Sequence, residues 1–145
     1  MARMKTIGVE AKMDEKFKIE VKAGEHLIIV DQPKAGGGMD AGATPLEYLF
    51  ASMAGCIGTV ARIIATQKQL PLRGMEIKVE GALDLETLLG KSKENRAGFQ
   101  AINVTVDIDA DMSRQQKEDF VKEIDSRCPV SCNIAHATAV SIEVA

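Results

Sequence analysis

The chain has 145 residues, of which 46% are hydrophobic and 3% aromatic, and its formal net charge is −3 at pH 7. This length and composition predict one domain over residues 1–145, with enough apolar residues for a core. The weak negative charge and the scattered lysines argue against nucleic acid as a partner. The first ten residues contain no apolar stretch typical of a secretory signal, so we expect a cytoplasmic protein.

The N-terminal part of the chain has β character in three stretches, at residues 6–12, 16–22 and 26–31. In the middle stretch Phe17, Ile19 and Val21 alternate with charged residues, which predicts a strand with one face in water. The glycine-rich segment QPKAGGGMDAGA follows at residues 32–43. It lacks the Gly-Lys-Ser/Thr ending of a phosphate-binding loop, so we interpret it as a flexible loop near an active site or an interface.

The stretch Thr44–Gln67 is the most apolar part of the chain, and its large apolar residues recur at helical spacing. Thr44, Pro45 and Glu47 predict a helix start with a capping box. Small residues cover much of the remaining surface, which indicates a central helix that other backbone approaches closely. Two glycines interrupt this helix, and its uncharged part is shorter than the roughly 20 residues of a membrane span, so we expect no membrane association.

The second half of the chain is predicted to contain both strands and a helix. Two long strands are predicted at residues 75–84 and 99–109, separated by a polar connection. Ser113, with Gln116 three residues later, predicts a second capped helix that runs towards Arg127. The last residues, TAVSIEVA at 138–145, alternate again and predict a final strand. The order of elements indicates an α+β fold, with strands towards both ends of the chain and two long helices between them.

The cysteines are the residues best suited to chemistry. Pro129 can begin a short helix with Cys128 at its N-cap, where unpaired N–H groups favour a thiolate. Cys56 lies about three turns into its helix and would need another residue to activate it. The two could form a reversible pair, in which one thiolate is oxidised to sulfenic acid and the other condenses with it to a disulfide. The alternative for Cys56 is a small buried apolar residue.

Cys132 and His136 follow Cys128 at intervals of four residues, so the three side chains could share one helix face. A closed metal site needs four ligands, and no further Cys or His pair completes this group. We therefore predict neither a metal nor another cofactor. The simplest interpretation is that Cys132 is a packed or spectator thiol and His136 a surface histidine.

Two motifs together resemble the OsmC/Ohr family of osmotically induced and organic hydroperoxide resistance proteins. They are PLEYLFASMAGC, which ends at Cys56, and RCPVS at residues 127–131. The resemblance implies an OsmC-like fold, in which two long central helices and antiparallel sheets from two chains form an intertwined homodimer. It also implies that Cys56 is the peroxidatic cysteine and Cys128 the resolving one. The protein would then be a peroxiredoxin-like reductase of organic hydroperoxides, active in the oxidative stress response and reduced by a dithiol such as a lipoyl group.

The chain departs from this family around the first cysteine. Peroxidases of the family activate that cysteine with an arginine from an N-terminal loop and a glutamate directly after the helix-opening proline. Here Leu46 follows Pro45, and the carboxylate is displaced to Glu47. At about 100° per residue, Glu47 and Cys56 lie on opposite faces of the helix. We keep Glu47, together with Cys132, as a candidate accessory residue.

The missing cation leaves two hypotheses open. In the first, the protein is a thiol peroxidase that acts through Cys56 and Cys128. In the second, it is an OsmC-like dimer without efficient peroxidase activity that acts as a redox sensor or binds a small molecule. A cation beside Cys56 would favour the first hypothesis, and purely apolar surroundings would raise the pKa of the thiol and favour the second. We favour the first. The arginines that could replace the missing one are Arg62, Arg73 and Arg127.

Overall fold

The N-terminal stretches form a three-stranded antiparallel sheet in the order β1-β2-β3. In the computed structural model, which describes all of residues 1–145, these strands are β1 (Glu10–Met13), β2 (Ile19–Ala23) and β3 (His26–Val30). In β2, Ile19 and Val21 are partly buried whereas Glu20 and Lys22 are exposed, which confirms the predicted wet face for these residues. Phe17, predicted for the buried face, precedes the strand and is 52% exposed. Residues 6–9, which we predicted to belong to the first strand, precede the sheet and pair with no other strand.

The glycine-rich loop at residues 32–43 is organised by a buried carboxylate. Asp31 is only 1% exposed. Its oxygens accept hydrogen bonds of 2.8–3.2 Å from the backbone N–H groups of Gln32, Met39 and Ala41. A Cβ atom at Gly42 would lie 2.0 Å from the carbonyl oxygen of Ile29, so the close approach of these two backbone segments requires glycine. A loop that its composition predicts to be flexible is therefore tied to a fixed acceptor.

The long helix α1 (Pro45–Lys68) begins as its sequence predicts. The Thr44 hydroxyl accepts from the Glu47 N–H at 3.3 Å, and the Glu47 carboxylate accepts from the Thr44 N–H at 2.7 Å, which confirms the capping box. The chain divides into two compact units, Met1–Leu49 and Phe50–Ala145, and α1 begins in the first and continues in the second. The single domain stays a prediction.

The second unit combines a strand pair with helices. Strands β4 (Leu72–Ala82) and β5 (Ala101–Ala110) form an antiparallel ladder in which Ile77 pairs with Val106. The connection between them contains a single helical turn, α2 (Leu85–Leu88). Two helices follow, α3 (Arg114–Arg127), with its predicted capping box, and α4 (Pro129–Ala135). The buried face of α1 packs with these elements in one apolar cluster, whose most buried members include Ala61, Ile64, Ile108, Ile124 and Cys128.

The predicted C-terminal strand is wrong for the single chain. Residues 137–145 form no helix and no strand. The apolar residues of this alternating segment are Val140, Ile142 and Val144, and they are 81%, 94% and 100% exposed. A strand is stabilised by a ladder to a neighbouring strand, and no strand of the same chain pairs with this segment.

Helix α1 has more apolar surface than the rest of the chain covers. By length and hydropathy alone, α1 could cross a membrane, but the core helix of a soluble protein meets the same criterion. Only 33% of the most apolar 18-residue stretch of α1 is buried inside the chain. Part of the apolar surface of α1 is therefore left open.

Candidate functional site

Two cysteines far apart in sequence meet in the second unit. Cys56 lies in the middle of α1, and Cys128 lies at the junction of α3 and α4. Their Sγ atoms are 3.0 Å apart, and both thiols are free. A disulfide bond has an S–S length of about 2.05 Å, so closing the bond requires the sulfurs to approach by only about 1 Å. The structure thus brings together the two cysteines that the sequence motifs single out.

Cys128 occupies the helix N-cap that its sequence predicts. It ends α3 and caps α4, and Pro129 stands in the first turn of α4. The backbone N–H of Ser131 donates to the Cys128 Sγ at 3.4 Å. The Cys128 side chain is 1% exposed, so it meets other groups of the protein rather than solvent.

Cys56 is only partly buried, so it is the more accessible sulfur of the pair. Burial raises the pKa of the Cys56 thiol, and the neighbouring thiol of Cys128 raises it further. The backbone N–H of Val130 donates to the Cys56 sulfur and acts in the opposite direction. The net result is a pKa above the ordinary value of a cysteine. No cation contributes to this balance.

Glu47, the acidic residue considered as an activator of Cys56, forms its hydrogen bonds with another residue. The Glu47 carboxylate accepts two hydrogen bonds from Thr44, one from its N–H group at 2.7 Å and one from its hydroxyl at 2.9 Å. These bonds hold the pKa of Glu47 below its ordinary value. The structure confirms Glu47 as a capping partner and does not bring it into the thiol pair.

The three candidate arginines also have other partners. Arg62 donates to the carbonyl oxygens of Leu72 and Arg73, at 2.9 and 3.3 Å. Arg73 forms ion pairs with Asp109 and Asp111. Arg127 donates to Glu123 and Gln67. Within one chain, none of them replaces the arginine that activates the family's peroxidases.

The remaining sequence candidates lie along α4. Cys132 is exposed. A ring nitrogen of His136 lies 3.1 Å from the carbonyl oxygen of Cys132, which is a local contact at the end of the helix. No group of three or more His, Cys, Asp or Glu side chains converges on a point that could hold a metal ion.

A comparison with protein-family models places this geometry in context. The model described as OsmC-like protein matches residues 36–143, which include Cys56, Cys128 and the helices α1 and α3. The chain belongs to the OsmC-like family. This is a family of soluble proteins. None of the curated proteins searched matches the sequence.

Solved structures of OsmC-like proteins share the fold at low sequence identity. An OsmC-like protein from Mycoplasma pneumoniae is 20% identical, with a TM-score of 0.78 over 90% of this chain and 88% of that one. An organic hydroperoxide resistance protein OsmC from Legionella pneumophila is 20% identical, with a TM-score of 0.66 over 92% and 91%. A third, from Elizabethkingia anophelis, is an organic hydroperoxide resistance protein that is 18% identical, with a TM-score of 0.66 over 91% and 89%. At these identities the likeness establishes the fold alone.

One feature of this OsmC-like site was not predicted from the sequence. The Ser131 N–H donates to the Cys128 sulfur, as the predicted N-cap implies, but a backbone hydrogen bond from Val130 to the Cys56 sulfur was not expected. From the sequence we expected a side chain, an arginine or a glutamate, to activate Cys56. The available signal was the proline after Cys128, because a helix that starts there also presents free N–H groups to other residues near its first turn.

The raised pKa of Cys56 predicts a distinctive pH profile. We expect the pH midpoint of its alkylation by iodoacetamide to lie above that of an unperturbed cysteine, because burial and the neighbouring Cys128 thiol disfavour the reactive thiolate. Peptide-resolved mass spectrometry can follow Cys56 separately from the other thiols. The control is the same cysteine in urea-unfolded chain, whose profile should have its midpoint at lower pH. A folded-state midpoint below the unfolded one would contradict the prediction and would reveal a cation near the sulfur.

Proposed function

We propose that this OsmC-like protein is a two-cysteine thiol peroxidase that reduces organic hydroperoxides. The observation that carries the proposal is the 3.0 Å separation of the Cys56 and Cys128 sulfurs. Membership of the family, and fold neighbours that are named organic hydroperoxide resistance proteins, support the choice of substrate. The protein would work in the cytoplasm as part of the oxidative stress response.

The difference in exposure supports the proposed roles of the two cysteines. Cys56 is the more accessible sulfur, so its thiolate attacks the terminal oxygen of the hydroperoxide. The O–O bond breaks, the alkoxide takes a proton and leaves as an alcohol, and Cys56 becomes a sulfenic acid. The buried Cys128 thiol then gives up its proton and attacks the Cys56 sulfur. A disulfide forms and water leaves.

A dithiol completes the cycle. One thiolate of the reductant attacks the disulfide to give a mixed disulfide, and its second thiol displaces the protein. The protein regains two thiols while the reductant becomes a cyclic disulfide. A lipoyl group has this chemistry, and the partly exposed Cys56 gives it a sulfur to attack.

The open apolar surfaces support an intertwined homodimer as the working form. The surface of the uncovered part of α1 is mostly apolar, and the residues that line it are Gly55, Gly58, Thr59, Arg62, Ile63, Thr66 and Gln67. The unpaired segments at residues 6–9 and 137–145 carry alternating apolar side chains that are exposed in one chain. A second copy would cover the helix and supply strand partners for these segments.

One observation favours a second function. The raised pKa of Cys56 and the absence of a cation beside it are expected of a slow thiol rather than of an efficient peroxidase. In that case the protein is an OsmC-like dimer that senses redox state through the same pair or binds a small molecule.

A single-turnover experiment separates the two functions. Reduced protein is mixed with cumene hydroperoxide or a fatty-acid hydroperoxide, and free thiols are counted before and after. A peroxidase should lose two thiols per chain within one turnover, release one alcohol per peroxide, and regain both thiols with dihydrolipoamide. Thiols that persist in excess peroxide would overturn the proposal and leave the second function.

A further inference from the structure

The junction between α3 and α4 is tied together by a single acidic residue. Asp125, in the last turn of α3, accepts the backbone N–H of Cys128 on its carbonyl oxygen at 3.3 Å. Its side-chain Oδ1 accepts the hydroxyl of Ser131, in the first turn of α4, at 2.5 Å. Asp125 therefore holds both the residue that carries the buried sulfur and the helix turn that follows it.

The turn that Ser131 fixes is the one that contacts the sulfurs. The N–H of Ser131 donates to the Cys128 Sγ at 3.4 Å, and the N–H of Val130 donates to the sulfur of Cys56. The two amides are consecutive in the chain, so a rotation of this turn would weaken both contacts together. It would also move Cys128, whose backbone leads into the same turn.

We propose that Asp125 and Ser131 are positioning residues for the thiol pair, and that their hydrogen bond holds the first turn of α4 so that Cys128 stays against Cys56. The inference rests on the proposed function in one respect, since it concerns the same two sulfurs. It adds the hydrogen bond that sets how readily the two sulfurs form a disulfide. Asp125 and Ser131 affect the reaction only through the position of Cys128.

A purely structural role for this bond predicts a different outcome. Asp125 is exposed and Ser131 is partly exposed, so neither side chain needs the other to satisfy a buried polar group. Breaking the bond should leave the core in place and the melting temperature close to that of the wild type. The effect should be confined to the geometry of the sulfurs.

The test compares variants that break the bond with variants that keep it. Ser131→Ala and Asp125→Ala remove it. Ser131→Thr keeps the hydroxyl, and Asp125→Asn keeps an acceptor oxygen without the charge. The matched control is Ser126→Ala, which removes a neighbouring hydroxyl that donates to the Glu123 carbonyl oxygen at 2.8 Å.

The main measurement is the equilibrium between the Cys56–Cys128 disulfide and dithiothreitol. We expect Ser131→Ala and Asp125→Ala each to weaken the disulfide by about threefold to tenfold, because the two sulfurs spend less time in contact. The double variant should lose no more than either single one. The pH midpoint of Cys56 alkylation should fall in the same variants, because the Cys128 thiol, which raises the pKa of Cys56 more than the Val130 amide lowers it, spends less time beside Cys56. Thr and Asn should restore both quantities.

Equal values for Ser131→Ala, Ser126→Ala and the wild type would overturn the inference, as would a failure of both conservative variants to restore them. If Ser131→Ala does not fold, the comparison of Asp125→Ala with Asp125→Asn decides in the same way. These measurements need no peroxide. If the protein does not react with peroxide but its variants show the expected changes in disulfide equilibrium and alkylation midpoint, only the proposed function is refuted. If it is an active peroxidase and the variants show no such changes, only the positioning role of Asp125 and Ser131 is refuted.

Discussion

Cys56→Ser is expected to abolish peroxide consumption, with a loss on the order of a thousandfold or more in single-turnover rate. A serine hydroxyl is not ionised near neutral pH and does not attack a peroxide. The thiol that remains in the site, that of Cys128, is only 1% exposed and therefore out of reach of the peroxide. Cys128→Ser should behave differently. It keeps the attacking sulfur, so one equivalent of peroxide is consumed and the sulfenic acid then persists, because its partner sulfur is gone. Excess peroxide should oxidise it to the sulfinic acid, which mass spectrometry detects as a gain of two oxygens on Cys56.

Cys132→Ser is the matched control for both variants. It removes an exposed thiol from the short helix that Cys128 caps. We expect the wild-type rate and a loss of two thiols in this variant. Unchanged peroxide consumption by Cys56→Ser would refute the assignment of the attacking sulfur. A single turnover that stops in Cys132→Ser, but not in Cys128→Ser, would transfer the resolving role to Cys132.

The parts of this fold that depend on neighbouring residues could be predicted from the sequence. The capping boxes of α1 and α3 each involve residues three apart, and both are present. The N-cap position of Cys128 follows from the proline after it. In each case the partners meet wherever the helix forms, so no knowledge of the tertiary structure is required.

The parts that depend on distant residues could not be predicted in this way. The buried Asp31 gives no sign in the sequence that it will accept three backbone hydrogen bonds from a loop. The pairing of Cys56 with Cys128 was a possibility from cysteine chemistry that the family resemblance then implied, and no local pattern indicates it. The alternation at residues 138–145 indicates a strand correctly as a preference, but a preference forms a strand only where a partner strand exists.

Two adjacent isoleucines of α1 have opposite surroundings, and they provide a test of the dimer. Ile64 is fully buried within the chain, whereas Ile63 is 43% exposed. A Cβ atom at the nearby Gly55 would meet nothing within 4 Å, so this side of the helix is open in a single chain. Replacing Ile63 with glutamate should then be nearly neutral in a monomer, within about 0.5 kcal/mol.

In a dimer whose chains meet along this face, Ile63→Glu places an unpaired charge in the interface. We expect a cost of about 3 kcal/mol or more and therefore a dimer dissociation constant at least about a hundredfold higher. Sedimentation velocity over a range of protein concentrations measures this shift. Lys122→Glu, a charge change on the exposed side of α3, is the control and should leave the dimer intact.

The outcome for Ile63→Glu also bears on the thiol pair, because Gly55 on the open side of α1 directly precedes Cys56. A variant that stays dimeric with unchanged stability would show that this helix face is not the interface. A monomer that still loses two thiols to peroxide would show that one chain carries a complete site. A folded monomer that no longer reacts would show that the second chain supplies a group that activates Cys56. We expect that group to be a cation, because a positive charge near the sulfur would lower the raised pKa of Cys56.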